Sequence, residues 1–543
     1  MRFSILFFII YLIVFNSTAQ TGNDWVDAKV YTYISGGSWC WFQDERAVID
    51  TAKNKLVIGA TNMQANTLVA IFDLESKTKD SEKKFNSLGS GKQDDHNAPG
   101  ILIGPDGSYI AMWAQHYDQY NTHYSIYKNG SWSAEKTFNW NNIPGGTDYT
   151  IAYNNVYYLS KEKRMFDFSR ANDRAPNFLY SDDNGSTWKF GGQLTTNKSN
   201  TYNKGYYKYW SNGVDRIDMA FTEQHPRDDT TSIYHGYFMG GKTYNSFGEV
   251  ADDDVYTKDS IPTFGAFTKV FAHNTKVDGV TMGRCWQSDL CRYDDSTIAI
   301  LFFARANDDT LDHRNFYARF DGKKWNVTYL GKAGKGIYAS EQDYTGLGAL
   351  NPDDAGRIYL CTRYNPADDK EQPSNKRELW RGTTEDFGAT WTWEKVTANS
   401  TKDNFRPIIP KWTPGKEALL WFKGDYIKAQ DVRTDVIGTF YEYEYNPPVA
   451  IKEQRTFQKD FRTNFTSRVS SGHILFRYRT SDQTTVSLDI FSLSGKKVAS
   501  LANALQNAAT YNLTWNTANT PSGTYLVRIS AGSRSFLKRV TVQ

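Results

Sequence analysis

Short segments of alternating apolar and aromatic residues, separated by turn residues, fill most of this 543-residue chain. They extend over residues 24–446 and are of strand length, as residues 55–59 and 297–302 illustrate. No long stretch keeps the period of a helix. Two turns, at residues 181–188 and 384–391, share the pattern S/T-x-D-x-G-x-T-W. The sequence therefore predicts an all-β chain that is built from repeated hairpins.

The two turns have the residues that a tight hairpin needs. Asp accepts hydrogen bonds from turn amides, Gly takes a positive φ, and Trp packs beneath the sheet. The pattern resembles the Asp boxes of sialidase-like β-propellers, in which radial repetition of small sheets protects most sheet edges. At about 60 residues for each four-stranded blade, residues 24–446 hold about seven blades. We expect a seven-bladed β-propeller, with a pair of stacked β-sandwiches as the alternative.

The N-terminus carries the chain's long apolar run. A positive start, Met1-Arg2, precedes apolar residues 5–15, and the small-residue pattern Ser17-Thr18-Ala19 follows. This order is typical of a secretory signal peptide over residues 1–19; an uncleaved membrane anchor is the alternative. A mean hydropathy of −0.61 excludes a polytopic membrane protein. The 63 basic and 60 acidic residues argue against a dedicated nucleic-acid binder.

The C-terminal part of the chain has a different pattern. Residues 447–465 are charged and without a clear strand, which predicts a linker. Residues 466–543 contain SGKKV, PSGTYLVRI and a final strand-like run at 538–542. They resemble the C-terminal sorting domain of Bacteroidetes type IX secretion cargo. The resemblance implies a small β-sandwich, the type IX secretion machinery as a partner, and a secreted or cell-surface protein. A generic carbohydrate-binding sandwich is the alternative.

Histidine is scarce, and seven of the eight histidines lie in the predicted propeller. His96 stands in the block DDHN-x-P, and His116 follows 20 positions later. A second group contains His225 and His235, with His313 further along the chain. Polar imidazoles beside turn residues suit the funnel of a propeller, where inner strands and loops converge. A purely structural role is the alternative for each of them.

Several blocks of the chain occur together in one order: QDER, DDHN-x-P, YYKYWSNGVDRI, EQHPR, SIYHGYF, DHRNFYARFDGKKW and FRPIIP. With them, residues 30–440 resemble the BNR-repeat propellers that include ulvan lyases. The resemblance implies a polysaccharide lyase that cleaves a sulfated, uronate-containing algal polysaccharide by β-elimination. Such a reaction needs a cation that neutralises the carboxylate, a base that removes the C5 proton, and an acid for the leaving oxygen.

The resemblance also implies roles for single residues. His96 and His116 match the two catalytic histidines, and Tyr153 is the match for the catalytic tyrosine. Arg170 is the match for the residue that neutralises the carboxylate. Core packing is the alternative role for Tyr153.

Two further residues are expected to bind the substrate, and three to bind a metal. Tyr207 is predicted to line the funnel, and Arg216 is a rival for the neutralising role, unless Asp215 holds it. The resemblance suggests a zinc ion that braces the fold, with His225, His235 and His313 as ligands. Hydrogen-bonded turn histidines are the alternative, and no organic cofactor is expected.

Other functions fit parts of the sequence. A sialidase-like glycoside hydrolase shares the Asp boxes and needs an arginine triad, for which Arg46, Arg216 and Arg406 are candidates. An exo-acting rhamnose–uronate-cleaving enzyme or an oligosaccharide dehydratase would share the same blocks. A glycan-binding propeller without catalysis would leave the paired histidines unexplained.

Overall fold

The computed structural model describes residues 24–85, 94–116, 120–143, 151–197, 204–257, 260–293, 297–338, 340–445, 465–470, 472–480, 483–492, 497–531 and 534–542. The chain divides into two compact units, one of residues 1–384 and 388–447 and one of residues 385–387 and 448–543. The predicted signal peptide lies outside the described residues, as does the predicted linker except for Phe465.

Secondary structure in both units is β, which confirms the predicted fold class. The described ranges contain no α-helix and three 3₁₀ helices, Asp95–Asn97, Trp140–Asn142 and Phe264–Ala266. None of these helices is long and apolar enough to cross a membrane.

The first unit contains seven sheets of four to six strands among its described residues. Sheet 1 has strands β3 (Gly37–Ser38), β4 (Ala47–Asp50), β5 (Lys55–Asn62), β6 (Thr67–Asp73) and β7 (Thr78–Phe85). Sheet 2 has β8 (Gly100–Ile103), β9 (Tyr109–Ala114), β10 (Asn121–Lys128), β11 (Ser131–Trp132) and β12 (Lys136–Asn139). Sheet 3 has β13 (Ala152–Leu159), β14 (Arg164–Ala171), β15 (Ala175–Ser181) and β16 (Lys189–Gln193).

The next two sheets follow in chain order. Sheet 4 has β17 (Tyr207–Ser211), β18 (Arg216–Phe221), β19 (Ile233–Met239), β20 (Lys242–Asn245), β21 (Val250–Asp252) and β22 (Thr268–Phe271). Sheet 5 has β23 (Thr275–Val277), β24 (Val280–Arg292), β25 (Thr297–Ala306), β26 (His313–Asp321) and β27 (Trp325–Lys332).

The last two sheets complete the unit. Sheet 6 has β28 (Gly348–Leu350), β29 (Arg357–Thr362), β30 (Glu378–Thr383) and β31 (Thr392–Lys395). Sheet 7 has β2 (Tyr31–Ile34), β33 (Asp403–Ile408), β34 (Lys416–Lys428) and β35 (Asp431–Glu442). Strands β1 (Trp25–Val26) and β32 (Thr397–Ala398) form a separate pair.

Contacts between the inner strands close these sheets into a ring. Strand β4 of sheet 1 contacts β8, and β8, β13, β17, β24 and β28 each contact the inner strand of the next sheet, which for β28 is β33. Strand β3 of sheet 1 contacts β35 of sheet 7. Sheet 7 combines the early strand β2 with the last three strands of the unit, in the order β2-β35-β34-β33. This arrangement is the β-propeller that the repeated hairpins predict.

Apolar side chains fill the spaces between neighbouring sheets, and the two Asp-box turns contribute to this packing. In the first turn, Asp183 accepts hydrogen bonds from the main-chain N–H and hydroxyl of Thr187, at 2.9 and 2.6 Å. Gly185 takes a φ of +80°, which suits a residue without Cβ. Trp188 is buried between sheets 2 and 3. The turn chemistry of the Asp box therefore fixes one tryptophan under the sheet.

Residues 39–46, which we call the central segment, run between β3 and β4 and are almost completely buried. Phe42 stacks on Trp286 of sheet 5 with ring centroids 3.6 Å apart. Arg406 of sheet 7 donates to the Trp41 carbonyl oxygen, at 2.9 Å, and to the Gln43 carbonyl oxygen. The central segment is therefore held by side chains from two different sheets of the ring.

The second unit is a small sandwich of two antiparallel sheets. One sheet has strands β36 (Thr466–Ser470), β37 (His473–Arg479) and β40 (Thr510–Asn516). The other has β38 (Thr484–Ser492), β39 (Lys497–Gln506), β41 (Gly523–Ala531) and β42 (Arg534–Val542). Apolar side chains from both sheets share one core, which includes Phe476, Leu488 and Val527.

The four cysteines are all buried free thiols. Cys285 and Cys291 do not form the disulfide that their spacing allows, and the fold is stabilised by its packed cores.

Candidate active site

A short helix presents the histidine of the DDHN block. Asp94 caps the 3₁₀ helix Asp95–Asn97 by accepting the main-chain N–H of His96 at 3.0 Å. The same carboxylate oxygen lies 2.6 Å from the His96 Nδ1. The Asp95 Oδ1 lies 2.8 Å from that Nδ1. The order D-D-H in the sequence thus places two carboxylates around one imidazole nitrogen.

The second histidine of the first cluster stacks on the first. The rings of His96 and His116 are 3.8 Å apart between centroids and inclined by 12°. The His116 Nδ1 lies 3.1 Å from the second carboxylate oxygen of Asp94. The main-chain N–H of His116 donates to the Asn97 side chain at 3.0 Å. Asp94 therefore orients both imidazoles.

The surroundings of His96 favour its charged form. Burial opposes the charge, but the acidic groups Cys40, Tyr153, Asp94 and Asp95 outweigh it, and the pKa of His96 lies well above its ordinary value. Burial raises the pKa of the Cys40 thiol and of the Tyr153 phenol, so both are neutral near neutral pH. The two carboxylates are therefore the groups that hold the proton on His96.

The surroundings of His116 favour its neutral form. Burial, and then the positive charge of His96, lower the pKa of His116 to about 3, although Asp94 acts in the opposite direction. Burial acts to raise the pKa of Asp94, but the charges of His96 and His116 pull that pKa well below its ordinary value. The stacked pair thus carries one positive charge, on His96, beside the carboxyl groups of Asp94 and Asp95.

Tyr153 lies against this pair in an unusual backbone conformation. Its ring centroid is 5.1 Å from that of His96, and its hydroxyl is 3.9 Å from the Cys40 sulfur. Its φ of +64° lies in the left-handed region, which few side-chain-bearing residues adopt. The next residue, Asn154, anchors the chain by donating to Asp167 at 2.8 Å and Ser169 at 3.0 Å.

Arg170 reaches the same place from the neighbouring strand. It pairs with Ala152 across β13 and β14, one position from Tyr153. Its guanidinium carbon lies 4.6 Å from the Tyr153 ring centroid. Its Nη1 donates to the Tyr206 hydroxyl at 3.1 Å, and its Nη2 lies 3.3 Å from the His116 Nε2. Strand pairing therefore places the guanidinium beside the phenol, and the contact with His116 joins both to the stacked imidazoles.

A cavity of about 300 Å³ lies against the two imidazoles and the Arg170 guanidinium, and Tyr153 is not among the residues that line it. Its lining comprises His96, His116, Arg170, Tyr206, His225, Arg227, Tyr338, Ser340, Glu341, Tyr344, Lys428, Ala429 and Gln430. One part of the wall carries the ion pair between Arg227 and Glu341. The size is at the lower end of the range for small-molecule sites, about 300–1,000 Å³.

His225 lines this cavity in a fixed orientation. Its Nδ1 accepts the main-chain N–H of Arg227 at 3.1 Å. Burial, and then the charges of Arg227 and Arg170, lower the pKa of His225 well below its ordinary value. The ring is therefore neutral at neutral pH, with its proton on Nε2.

The structure places the two predicted substrate-binding residues away from the cavity. Tyr207 packs against Tyr209 and Phe221, and its hydroxyl lies 2.5 Å from the Thr195 hydroxyl. The preceding residue, Tyr206, lines the cavity instead. A shift by one residue along a strand reverses the side-chain face, which explains this difference.

Arg216 belongs to a buried ion-pair network. It donates to Asp218 at 2.9 Å and lies over the Tyr237 ring at 3.3 Å. Asp218 also pairs with Arg292 at 2.6 Å. Because Asp218 holds both guanidinium groups, Arg216 has a structural role in sheet 4 and does not reach the cavity.

The three histidines expected to bind zinc do not converge. His235 is fully buried, with Nδ1 2.9 Å from the Ser246 hydroxyl and Nε2 3.3 Å from Asp218. The His313 Nε2 lies 3.2 Å from Asp343. Among the described residues, the sets of donor atoms close enough for one metal ion are Cys40, Asp95 and His96, and Asp94, His96 and His116. The predicted ligand set therefore does not fit a zinc ion.

Gln43 of the central segment supports the candidate site and was not among the predicted site residues. Its side-chain nitrogen donates to the carbonyl oxygens of His96 at 2.8 Å and Ala98 at 3.2 Å. Its side-chain oxygen accepts the Cys40 N–H at 3.2 Å. Its position in the QDER block was the signal that pointed to it. Tyr338 and Glu341 carried no such signal.

Comparison with known proteins identifies the C-terminal unit. Residues 470–543 match the family of the secretion system C-terminal sorting domain. The protein is exported. Its sorting domain indicates secretion or display at the cell surface. The match confirms the predicted sorting domain and the predicted export. No curated protein matches the chain.

Solved structures resemble the first unit. A polysaccharide lyase of family PL25, an ulvan lyase, has a TM-score of 0.54 and 13% identity, over 79% of this chain and 99% of its own. The same values hold for that lyase bound to -[GlcA(1-4)Rha3S]-. The β-propeller domain of the Trilobed protease from Pyrococcus furiosus has a TM-score of 0.36 and 10% identity, over 77% and 100%. The first likeness confirms the fold predicted from the hairpins.

Proposed function

We propose that the protein is an exported polysaccharide lyase that cleaves an acidic, ulvan-like polysaccharide by β-elimination at a uronic acid. The supporting observation is the convergence of Arg170 and the His96–His116 pair at one cavity, with Tyr153 packed against both His96 and Arg170. The structurally similar lyase binds a glucuronate-containing unit, which fits this choice of substrate.

Arg170 neutralises the carboxylate of the bound uronic acid. A guanidinium binds a carboxylate through two parallel hydrogen bonds. Removing negative charge there stabilises the enolate-like state that forms when the C5 proton leaves. Arg170 fits this role because its guanidinium also contacts the two groups that move protons, His116 and Tyr153.

His116 takes the C5 proton on Nε2. Its Nδ1 faces Asp94, so the neutral ring presents a lone pair at Nε2. As the proton leaves, its electron pair forms the C4–C5 double bond, and the bond from C4 to the glycosidic oxygen breaks. Because this ring is neutral at neutral pH, its Nε2 is able to accept a proton.

Tyr153 protonates the departing oxygen. Burial raises the pKa of its phenol, while the charges of His96 and Arg170 act to lower it. The phenol therefore holds a proton at neutral pH, and the phenolate left after transfer is stabilised by two neighbouring cations. No step in this scheme uses a metal or an organic cofactor.

The arginines do not support the sialidase-like alternative. Arg46 and Arg406 are almost completely buried, and Arg216 is paired with Asp218. None of the three lines the cavity. A hydrolase of that kind needs an arginine triad around the carboxylate, and these residues do not form one there.

The test is incubation of the protein with ulvan while near-ultraviolet absorbance is followed. Elimination creates an unsaturated uronate that absorbs, whereas hydrolysis gives reducing ends without that absorbance. His96→Ala and Arg170→Ala should abolish the signal without loss of fold. The exposed residues His473 and Arg433 provide matched controls, and His473→Ala and Arg433→Ala should retain full activity. Reducing ends without absorbance would refute elimination.

A further inference from the structure

The contact between Arg170 and His116 joins the residue that binds the carboxylate to the residue that removes the proton. The His116 ring is fixed on one side, where Nδ1 lies 3.1 Å from Asp94. On its other side, Nε2 lies 3.3 Å from the Arg170 Nη2. The ring thus lies between a carboxylate and a guanidinium, each at one nitrogen.

The direction of the proton in each contact follows from chemistry. Asp94 is an acceptor, so the neutral His116 ring keeps its proton on Nδ1. A guanidinium has only donors, so Arg170 donates to the lone pair of Nε2. The lone pair that would take the substrate proton therefore accepts a hydrogen bond from Arg170 in this structure.

We propose that the carboxylate of the uronic acid releases the Nε2 of His116 by taking over the Nη2 donor of Arg170. This inference depends on the proposed function. Charge-assisted guanidinium–carboxylate hydrogen bonds are stronger than a hydrogen bond to a neutral ring. The Arg170 Nη2 therefore donates to the carboxylate in preference to the His116 Nε2. The Tyr206 hydroxyl, which Nη1 contacts at 3.1 Å, remains to orient the guanidinium.

The exchange makes the base available only when the correct substituent has bound. The released Nε2 then takes the C5 proton as the C4–C5 double bond forms, and Tyr153 protonates the oxygen that leaves C4. A neutral sugar in the same cavity leaves Arg170 on His116 and has no anion to be stabilised. Selection for uronates therefore acts on the chemical step as well as on binding.

Nitrogen NMR of the full-length protein with isotope-labelled histidine tests the exchange. The His116→Gln variant assigns the His116 signals by their loss. Sodium D-glucuronate is the probe, and D-glucose is its neutral counterpart. We expect glucuronate to shift the Nε2 signal of His116 towards that of a nitrogen without a donor, and glucose to leave it in place. In Arg170→Gln, the signal should already lie near the shifted position and not respond to glucuronate.

Calorimetric binding of glucuronate separates failure of this inference from failure of the proposed function. Glucuronate that binds without moving the Nε2 signal overturns the exchange and leaves elimination standing. An equal shift with glucose also overturns it, because the carboxylate would not be the cause. Absence of glucuronate binding overturns the exchange too, and combined with no absorbance change on ulvan it overturns the proposed function.

Discussion

Gln43→Leu tests whether the central segment holds the candidate site in place. Gln43 is completely buried, and its amide makes three hydrogen bonds, two of them to the carbonyl oxygens of His96 and Ala98. The third is accepted from the Cys40 N–H. Leucine keeps the approximate size and removes all three bonds.

The expected effect on stability follows from the groups left without this partner. Each buried group without a partner lowers the free energy of unfolding by about 1–3 kcal/mol. The bonds to Cys40 and Ala98 are long at 3.2 Å, and the bond to His96 is short at 2.8 Å. Two groups at the lower end and one near the upper end give a loss of about 3–5 kcal/mol. Displacement of His96 should also reduce lyase activity about a hundredfold.

Equilibrium unfolding in urea measures the first effect, and absorbance on ulvan measures the second. Gln287→Leu is the matched control, because Gln287 is also completely buried and neither of its amide atoms has a partner within the described part of the chain. That variant should change stability by less than about 1 kcal/mol or increase it. The reasoning is refuted if Gln43→Leu unfolds at the wild-type urea concentration, or if both variants lose equally.

Three further predictions concern charge, a donor and export. Asp94→Asn removes a carboxylate that raises the pKa of His96 above 6.5. The stability that this carboxylate gives the wild type should therefore be lost as the pH rises from 6.5 through the His96 pKa. Urea midpoints of the wild type and the variant, measured against pH, test this. The alkaline limb of activity should also move down by about 1–3 pH units. Neutral His225 lines the cavity, is held by the Arg227 N–H and carries its proton on Nε2. His225→Phe removes this donor and should lower kcat/KM about tenfold at every pH, and His225→Gln should restore most of the loss. A loss that depends on pH would contradict this prediction. Deletion of residues 470–543 should keep the protein from the culture medium and cell surface, measured by immunoblot of fractions.

Most of the fold could be predicted from local sequence patterns. Alternation of apolar residues and the Asp, Gly and Trp of the turns are short-range signals, so the all-β propeller and the sorting sandwich could be predicted. The cap at His96 was also local, because Asp94 and Asp95 adjoin it in sequence.

Contacts between distant residues were harder to predict. Residues two apart on a strand share a face, so the sequence allows the pairing of Arg216 with Asp218, whereas the predicted partner was Asp215. Tyr206 lines the cavity where Tyr207 was predicted, and the alternation of residues along a strand does not by itself show which of two neighbours faces a cavity. The separation of His235 and His313 depends on which sheets they join, and no spacing in the sequence records that.

The closing sheet of the ring has a consequence for export. Strand β2 finds its partner, β35, only after nearly the whole first unit has been synthesised. The sorting domain follows β35 in the chain, and domains emerge from the ribosome in order. A chain that terminates before β35 cannot complete the ring, and it also lacks the sorting domain that directs export. The order of the two units therefore keeps incomplete propellers inside the cell.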